Sequence, residues 1–257
     1  MTWVLGSSPT ASYHSLQITA KKQMSHNLML NGFYVFSKSF YSADPGAVGP
    51  SSITQDFDAL SEERGPSDFD QRHMASISGM WNVEYYHGTN RILKTVANGW
   101  QVAPILSFNS GLPLNIETGA DENDDGYTTD RPNLLPGQNA FLNPHRGRTA
   151  AAAEWFNTSA FVKNGPGTGI GIGGADGTTP RNYLRSPGYR DIDIGIYRNF
   201  QLSEKTKLQI RGEATNAFNL VDLGAPTATL SSSIDGKITS AVANSNRQIQ
   251  LGARLSF

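Results

Sequence analysis

The chain has 257 residues, a formal net charge of −1, no cysteine, and only 17% charged residues. The near-neutral balance leaves no basic footprint for nucleic acid, and the missing thiols exclude disulfides, thiolate metal sites and cysteine nucleophiles. No run approaches the roughly 18 consecutive apolar residues of a transmembrane helix, so spanning by helices is excluded, while the length allows one large β domain or two small ones.

The first element is a hairpin. Residues 13–22 alternate, with Leu16, Ile18 and Ala20 on one face, and after a short turn at 24–27 the chain returns through 28–39 with Leu28, Leu30, Gly32, Tyr34 and Phe36 on that same face. A polar stretch at 40–71 has no period and is long for a connection in a compact domain. Alternation resumes at 72–86, where Ala75, Ile77, Gly79, Trp81, Val83 and Tyr85 share a face, and the connector 87–99 suggests a helical turn over 91–97. The next strand, 100–110, turns Trp100, Val102, Leu106 and Phe108 one way. Pro104 cannot donate to a ladder, so a bulge is expected there. After a very long irregular region, 111–188, the strand 191–200 carries Ile192, Ile194 and Ile196 against Asp191 and Asp193. A turn at 203–205 leads into 207–218, where Leu208, Ile210, Gly212 and Ala214 oppose Arg211 and Glu213. A polar loop, 219–246, precedes the last strand, 247–257, with Ile249, Leu251, Ala253, Leu255 and Phe257 opposite Arg254.

Seven strands joined by connections that alternate short and long fit an up-and-down barrel with short periplasmic turns and long extracellular loops. That register places Phe36, Phe108, Tyr189 and Phe218 at an outer aromatic girdle and Tyr85, Trp100, Phe200 and Phe257 at an inner one. From Trp100 to Phe108 the strand covers on the order of 26 Å at about 3.3 Å per residue, which spans a thin apolar band once tilted. Lys22 and Arg198 fall on the lipid face, but near the inner interface, where a cation costs only about 0 to 1 kcal/mol. Asn216 on that face is tolerable only near the outer end.

The phrases YHSLQITAKK, NGFYVFSKSF, NGWQVAPILSFNSGLPLNI, DRPNLLPG, EWFNTSAF, RNYLRSPGYRDIDIGIYRNFQLSEKTKLQIRGEATNAFN and IQLGARLSF together resemble the β-barrel part of TonB-dependent outer-membrane receptors, particularly the Oar-like barrels. The resemblance runs from about Ser12 onward and is most specific over Arg181–Asn219. It implies a plugged barrel of about 22 strands, located in the cell outer membrane, of which this chain reads as the C-terminal third. No plug domain, coupling segment, regulatory domain or signal is read, and Met1–Thr10 lacks a basic n-region and a sustained apolar h-region. The resemblance further implies three partners: the lipid bilayer, the rest of the barrel and plug, and an energising TonB-type protein reached through segments not present here.

Asp121, Asn123 and Asp125 at alternate positions, then Gly126 and a later carboxylate at Asp130, have the pattern of a calcium loop. Pro132 stands where an EF-hand has glutamate, so two readings stay open: a Ca²⁺ site, or a solvated acidic turn in an extracellular loop. The run at 165–174 lacks the strand and helix that a phosphate-binding loop needs and reads as a flexible loop. The five histidines share no metal spacing, Glu62 and Glu63 read as loop solvation, and no catalytic motif occurs. The expectation is a non-enzyme. Asp191, Asp193, Arg211, Glu213 and Arg254 face the expected lumen, where an ion-pair lattice is the first reading and substrate contact the second.

The expected fold is therefore all-β: an antiparallel, up-and-down transmembrane β-barrel segment of about seven strands with long extracellular loops, an incomplete barrel. The expected function is nutrient uptake as part of a TonB-dependent receptor, a fragment not active alone. A passive porin or outer-membrane adhesin, and a soluble calcium-binding β-sandwich, are the alternatives.

Overall fold

The computed structural model describes residues 10–42, 55, 63–123, 128–143, 146–163 and 176–257. In chain order the strands and helices are β1 (Ala11–Ser25), β2 (Leu28–Tyr41), β3 (Gly65–Pro66), β4 (His73–Val83), α1 (Arg91–Ala97), β5 (Trp100–Asn109), β6 (Pro113–Leu114), β7 (Asn133–Leu134), α2 (Arg148–Ala153), β8 (Phe161–Val162), β9 (Leu184–Arg185), β10 (Tyr189–Gln201), β11 (Lys207–Thr215) and β12 (Gln248–Ser256). Seven long strands form one antiparallel sheet in the order β1-β2-β4-β5-β10-β11-β12, and β3 pairs with the end of β2. Every long strand is a sequence neighbour of the one beside it. Each expected strand is present, and the expected helical turn is α1.

Register explains why the alternation holds across the whole sheet. Ile18 lies opposite Tyr34, and Tyr34 opposite Ala75. Ala75 faces Phe108, Leu106 faces Ile192, Ile196 faces Gly212, and Gly212 faces Leu251. Cross-strand partners share a face, so the apolar residues of seven strands merge into one continuous surface. Much of it is exposed: Leu16, Ile77, Trp81, Ile210 and Leu251 are all largely open. Among the described residues no second long-stranded sheet covers that surface, and β1 and β12 are not paired with each other.

The hairpin β1–β2 turns on His26 and Asn27, both at positive φ (51° and 62°), the two-residue geometry whose twist matches flanking strands. The irregularity in its ladder lies between Lys22 and Ser25, beside this turn. The bulge expected at Pro104 is absent. Ser78 opposite Ile105 and Trp81 opposite Val102 keep a single register, and only the two positions between them go unpaired. The proline is accommodated by dropping those two pairings without shifting register; Gly79, across from it, is crowded by Leu30, since an added Cβ would lie 2.9 Å from Leu30 Cδ2 but at an ordinary 3.7 Å from the proline Cγ. A second correction concerns the outer girdle. Register pairs Arg190, not Tyr189, with Phe108, so Tyr189 belongs to the polar face with Asp191 and Asp193. Lys22 and Arg198 lie on the apolar face at the short-turn end, opposite Leu30 and Trp100.

The protein's buried core is not in the sheet. It lies at the long-loop end, where Ile116, Ala140, Phe156, Ala160, Phe161 and Leu184 pack together with Leu134, Trp155, Tyr183 and Leu230 around them. Two short antiparallel pairs, β6–β9 and β7–β8, stitch this lobe, and Glu117 bridges to Thr229 from the last long connection. The stretch expected to be irregular is thus a small packed lobe.

Candidate functional site

The lobe is fastened by buried ion pairs. Glu63 is 1% exposed and accepts a bidentate pair from Arg131, Nη1 to Oε2 at 2.9 Å and Nη2 to Oε1 at 2.8 Å. Arg181 approaches the same carboxylate at 3.6 Å and lays its guanidinium over the Tyr41 ring. Arg131 also donates Nε–H to the Thr179 carbonyl. This overturns the reading of Glu63 as a solvated loop acid; Glu62 lies outside the described residues. Two cations around one buried carboxylate compensate its desolvation, which an isolated charge could not do.

A second fastening centres on Asp70, also 1% exposed. Its carboxylate accepts from the Ser39 N–H at 2.7 Å, from Arg72 at 3.1 Å, and from Arg185. Arg185 further donates to the Asp70 and Gly111 carbonyls. Burial alone raises the Asp70 carboxyl, but the hydrogen bonds from Arg185 and Ser39 and the charges of Arg185 and Arg72 outweigh it and hold it below its ordinary value. Asn182, held at φ 55°, donates to the Pro66 carbonyl and to Asp68. These contacts pin the first two long connections to each other and to the end of β2, and the third joins them through the Glu117–Thr229 bridge and the Trp155 N–H bond to the Gly236 carbonyl. Gly177 is required by the same closeness, since a Cβ there would lie 1.7 Å from the Arg131 carbonyl oxygen.

The calcium-pattern residues sit in this lobe. Asp130 is buried, and its Oδ2 accepts the Glu122 and Asn123 backbone N–H groups at 2.5 and 3.2 Å. Asn123 donates to the Gln55 carbonyl and to Asp176. Asp121 lies in the same turn, and Asp125 lies outside the described residues, as does the glycine run 165–174. Among the described residues no three His, Asp or Glu side chains converge as a metal-holding group. The shown work of Asp130 and Asn123 is to fold the loop.

The polar face of the sheet carries the other expected residues. Glu213 stands opposite Gly195 on one side and Gln250 on the other, Arg211 opposite Tyr197 and Gly252, and Arg254 opposite Gln209. Asp191 and Asp193 follow on β10. All five share one face, as the period demanded. Among the described residues no ion pair joins them, and two of the five make hydrogen bonds instead. Tyr197 Oη donates to Glu213 Oε1 at 2.9 Å, and Asp193 Oδ1 accepts the Asn216 N–H at 2.9 Å. Asn216 itself, at φ 42°, lies just past β11 and donates its side-chain amide to the Ser245 carbonyl, which removes the conflict with the apolar face.

A groove of about 660 Å³ opens at the long-loop end between Tyr34, His73, Phe108, Arg148, Trp155 and Arg190. Tyr34 and Phe108 belong to the apolar face and Tyr189, which also lines the groove, to the polar one, so the groove lies at the rim of the sheet.

The residues missed by periodicity, Glu63, Asp70, Arg131, Arg181, Asn182 and Arg185, lie mostly inside the phrases DRPNLLPG and RNYLRSPGYR. Neither the phrases nor the spacing assigned them a role. No curated protein and no solved structure matches this chain. An open antiparallel sheet with one continuous apolar face and long connections gathered at one end is the architecture of a family whose model, the outer membrane beta barrel domain, matches residues 2–250. The chain belongs to that family, and its apolar face is accordingly the surface that meets the bilayer of the outer membrane.

Proposed function

We propose that this chain is the C-terminal part of a TonB-dependent receptor barrel and serves, without enzymatic chemistry, in energised uptake of a nutrient. The observation that carries the reading is the fastened lobe. The first two long connections are tied by Glu63 and Asp70, and the third by the Glu117–Thr229 bridge, into a fixed surface at the outer end of a polar sheet face bearing Asp191, Asp193, Arg211, Glu213 and Arg254. A rigid lobe supplies a capture surface, and the polar face supplies one wall of a lumen through which ligand passes. A plug and an inner-membrane motor complete the mechanism from outside this chain. The phrases shared with Oar-like barrels support the same reading.

The test uses the protein purified from its own outer membrane. In planar bilayers the receptor reading expects no steady ion conductance, and in cells it expects crosslinking to an energised inner-membrane partner that a protonophore changes. Steady conductance with no such partner would instead identify a passive porin. Calcium at the Asp121–Asp130 turn belongs to the same proposal as a stabiliser of the lobe, checked by protease resistance with and without chelator.

A further inference from the structure

The short-turn end holds an unusual cation. Arg198 lies on the lipid-facing side, 7% exposed, with its guanidinium sandwiched between the Trp100 ring at 4.9 Å and the Phe200 ring at 4.8 Å. Nη1 donates to the Val96 carbonyl at 2.9 Å, and the Trp100 indole N–H donates to that same oxygen at 2.9 Å. Val96 lies near the end of α1, so these bonds fold the helix outward against the lipid face. Among the described residues Arg198 Nε–H is buried with no hydrogen-bond partner, and Arg198 makes no ion pair.

The helix is built for an interface. Ile92, Leu93, Val96 and Ala97 occupy one arc, and Arg91, Lys94 and Thr95 the other. Asn90 caps it through Oδ1, which accepts the Ile92 and Leu93 N–H groups. Its apolar arc is open, with Ile92 75% and Val96 63% exposed, and nothing in α1 is acidic. Short basic amphipathic helices of this kind lie in the plane of the interface. Beside it, a groove of about 240 Å³ is walled by Thr95, Val96, Trp100, Arg198, Phe200 and Ile210. That is less than the roughly 300 Å³ lower bound of a small-molecule pocket. It suits one segment of an acyl chain whose remainder stays in the bilayer, and the groove is continuous with the lipid-facing surface.

We infer that α1 and the Arg198 groove form a seat for one glycerophospholipid of net negative charge from the periplasmic leaflet. One acyl chain lies along Val96, Phe200 and Ile210, and the phosphate takes the Nε–H edge of Arg198, with Arg91 and Lys94 adding attraction. The two rings and the helix carbonyl fix the guanidinium plane, and the Nε–H is a covered donor left without an acceptor; a phosphate oxygen reaches it by a shift of the side chains that cover it, and is the acceptor such an edge pairs with. Two cation–π contacts and one carbonyl offset part of the cost of burying this charge, and a phosphate supplies the anion the protein does not.

The test is native mass spectrometry on the protein purified from its own membrane, stripped of lipid and titrated with phosphatidylglycerol or phosphatidylcholine. The expected result is a single phosphatidylglycerol adduct at least tenfold tighter than the phosphatidylcholine one. Arg198→Gln weakens it at least tenfold, and Arg198→Lys, which keeps the charge but not the Nε–H edge, at least fivefold. Arg190→Gln, at the opposite end of the same face, leaves it unchanged within twofold. Should Arg198→Gln fail to fold, the exposed pair Ile92→Gln and Val96→Gln provides the second arm, with an expected loss of at least threefold. Equal retention of both lipids, or unchanged binding by folded Arg198 or helix variants, overturns the seat.

Discussion

Replacing Leu251 with arginine tests the assignment of faces most directly. Leu251 is 81% exposed on the apolar face of β12, opposite Gly212. Between Leu251 and Phe257 the strand covers roughly 20 Å at about 3.3 Å per residue, which becomes about 15 Å along the membrane normal at a tilt of roughly 40°. The apolar band of such a barrel is about 25 Å tall, so the substitution puts a cation near its middle, at a cost of about 2 to 4 kcal/mol. That lowers the folding equilibrium about 30- to 700-fold. Gln250→Arg, one residue away, points to the polar face across from Glu213. There it gains an acidic neighbour and shifts stability by no more than about 0.5 kcal/mol. Folding of the intact outer-membrane protein into lipid vesicles, titrated with guanidinium and followed by tryptophan emission, measures both. Equal losses for the two variants would refute the register and the face that meets lipid.

Glu63→Gln leaves Arg131 and Arg181 buried without their carboxylate, and should weaken the lobe by about 3 to 5 kcal/mol; hydrogen exchange should rise in β7 and β9 but not in β10 to β12. Phe156→Ala, at a site 2% exposed, should cost about 3 to 5 kcal/mol, seen as protease cleavage within 111–188 while the strands stay protected. The Asp70 carboxyl is depressed in the folded lobe, so its stabilisation is complete above the unfolded value of about 3.9 and disappears as pH falls through the lower folded one. Glu117 behaves oppositely: burial raises its carboxyl despite a hydrogen bond from Asn115, so a folding penalty present at neutral pH is relieved on acidification. Lobe melting followed from pH 7 to 3 in Asp70→Asn and Glu117→Gln variants separates the two.

The strands were legible because a two-sided sheet writes its faces into every second residue, and the merger of Ile18, Tyr34, Ala75, Phe108 and their neighbours follows from that period alone. The lobe was not legible for the converse reason. Ile116, Phe156 and Leu184 meet from distant loops with no common spacing, and Glu63 reaches an Arg131 lying 68 positions further on. An acid beside another acid looks solvated until its cation is located in space. Tyr189 was placed on the wrong face by its aromatic character, where the Ile192, Ile194 and Ile196 period gave the correct parity. Pro104 predicted a bulge only because a sequence read along one strand cannot know that the neighbouring strand drops two pairings beside it without shifting register. The acidic turn shows the same limit: alternate carboxylates suit a cation and equally suit backbone amides, and Asp130 is occupied with the latter.

Pro104 also has a mechanical consequence. Where it faces Gly79, the seam between β4 and β5 loses two successive pairings, whereas the seam between β5 and β10 runs unbroken from Tyr189 to Arg198. Sideways tension on the sheet therefore concentrates on the β4–β5 line, and a crack would start beside the proline. It would leave two pieces, one of β1, β2 and β4 and one of β5, β10, β11 and β12. The lobe, tied to β2 through Asp70 and to β10 through the adjoining Arg185, is a strap laid across that line at its outer end.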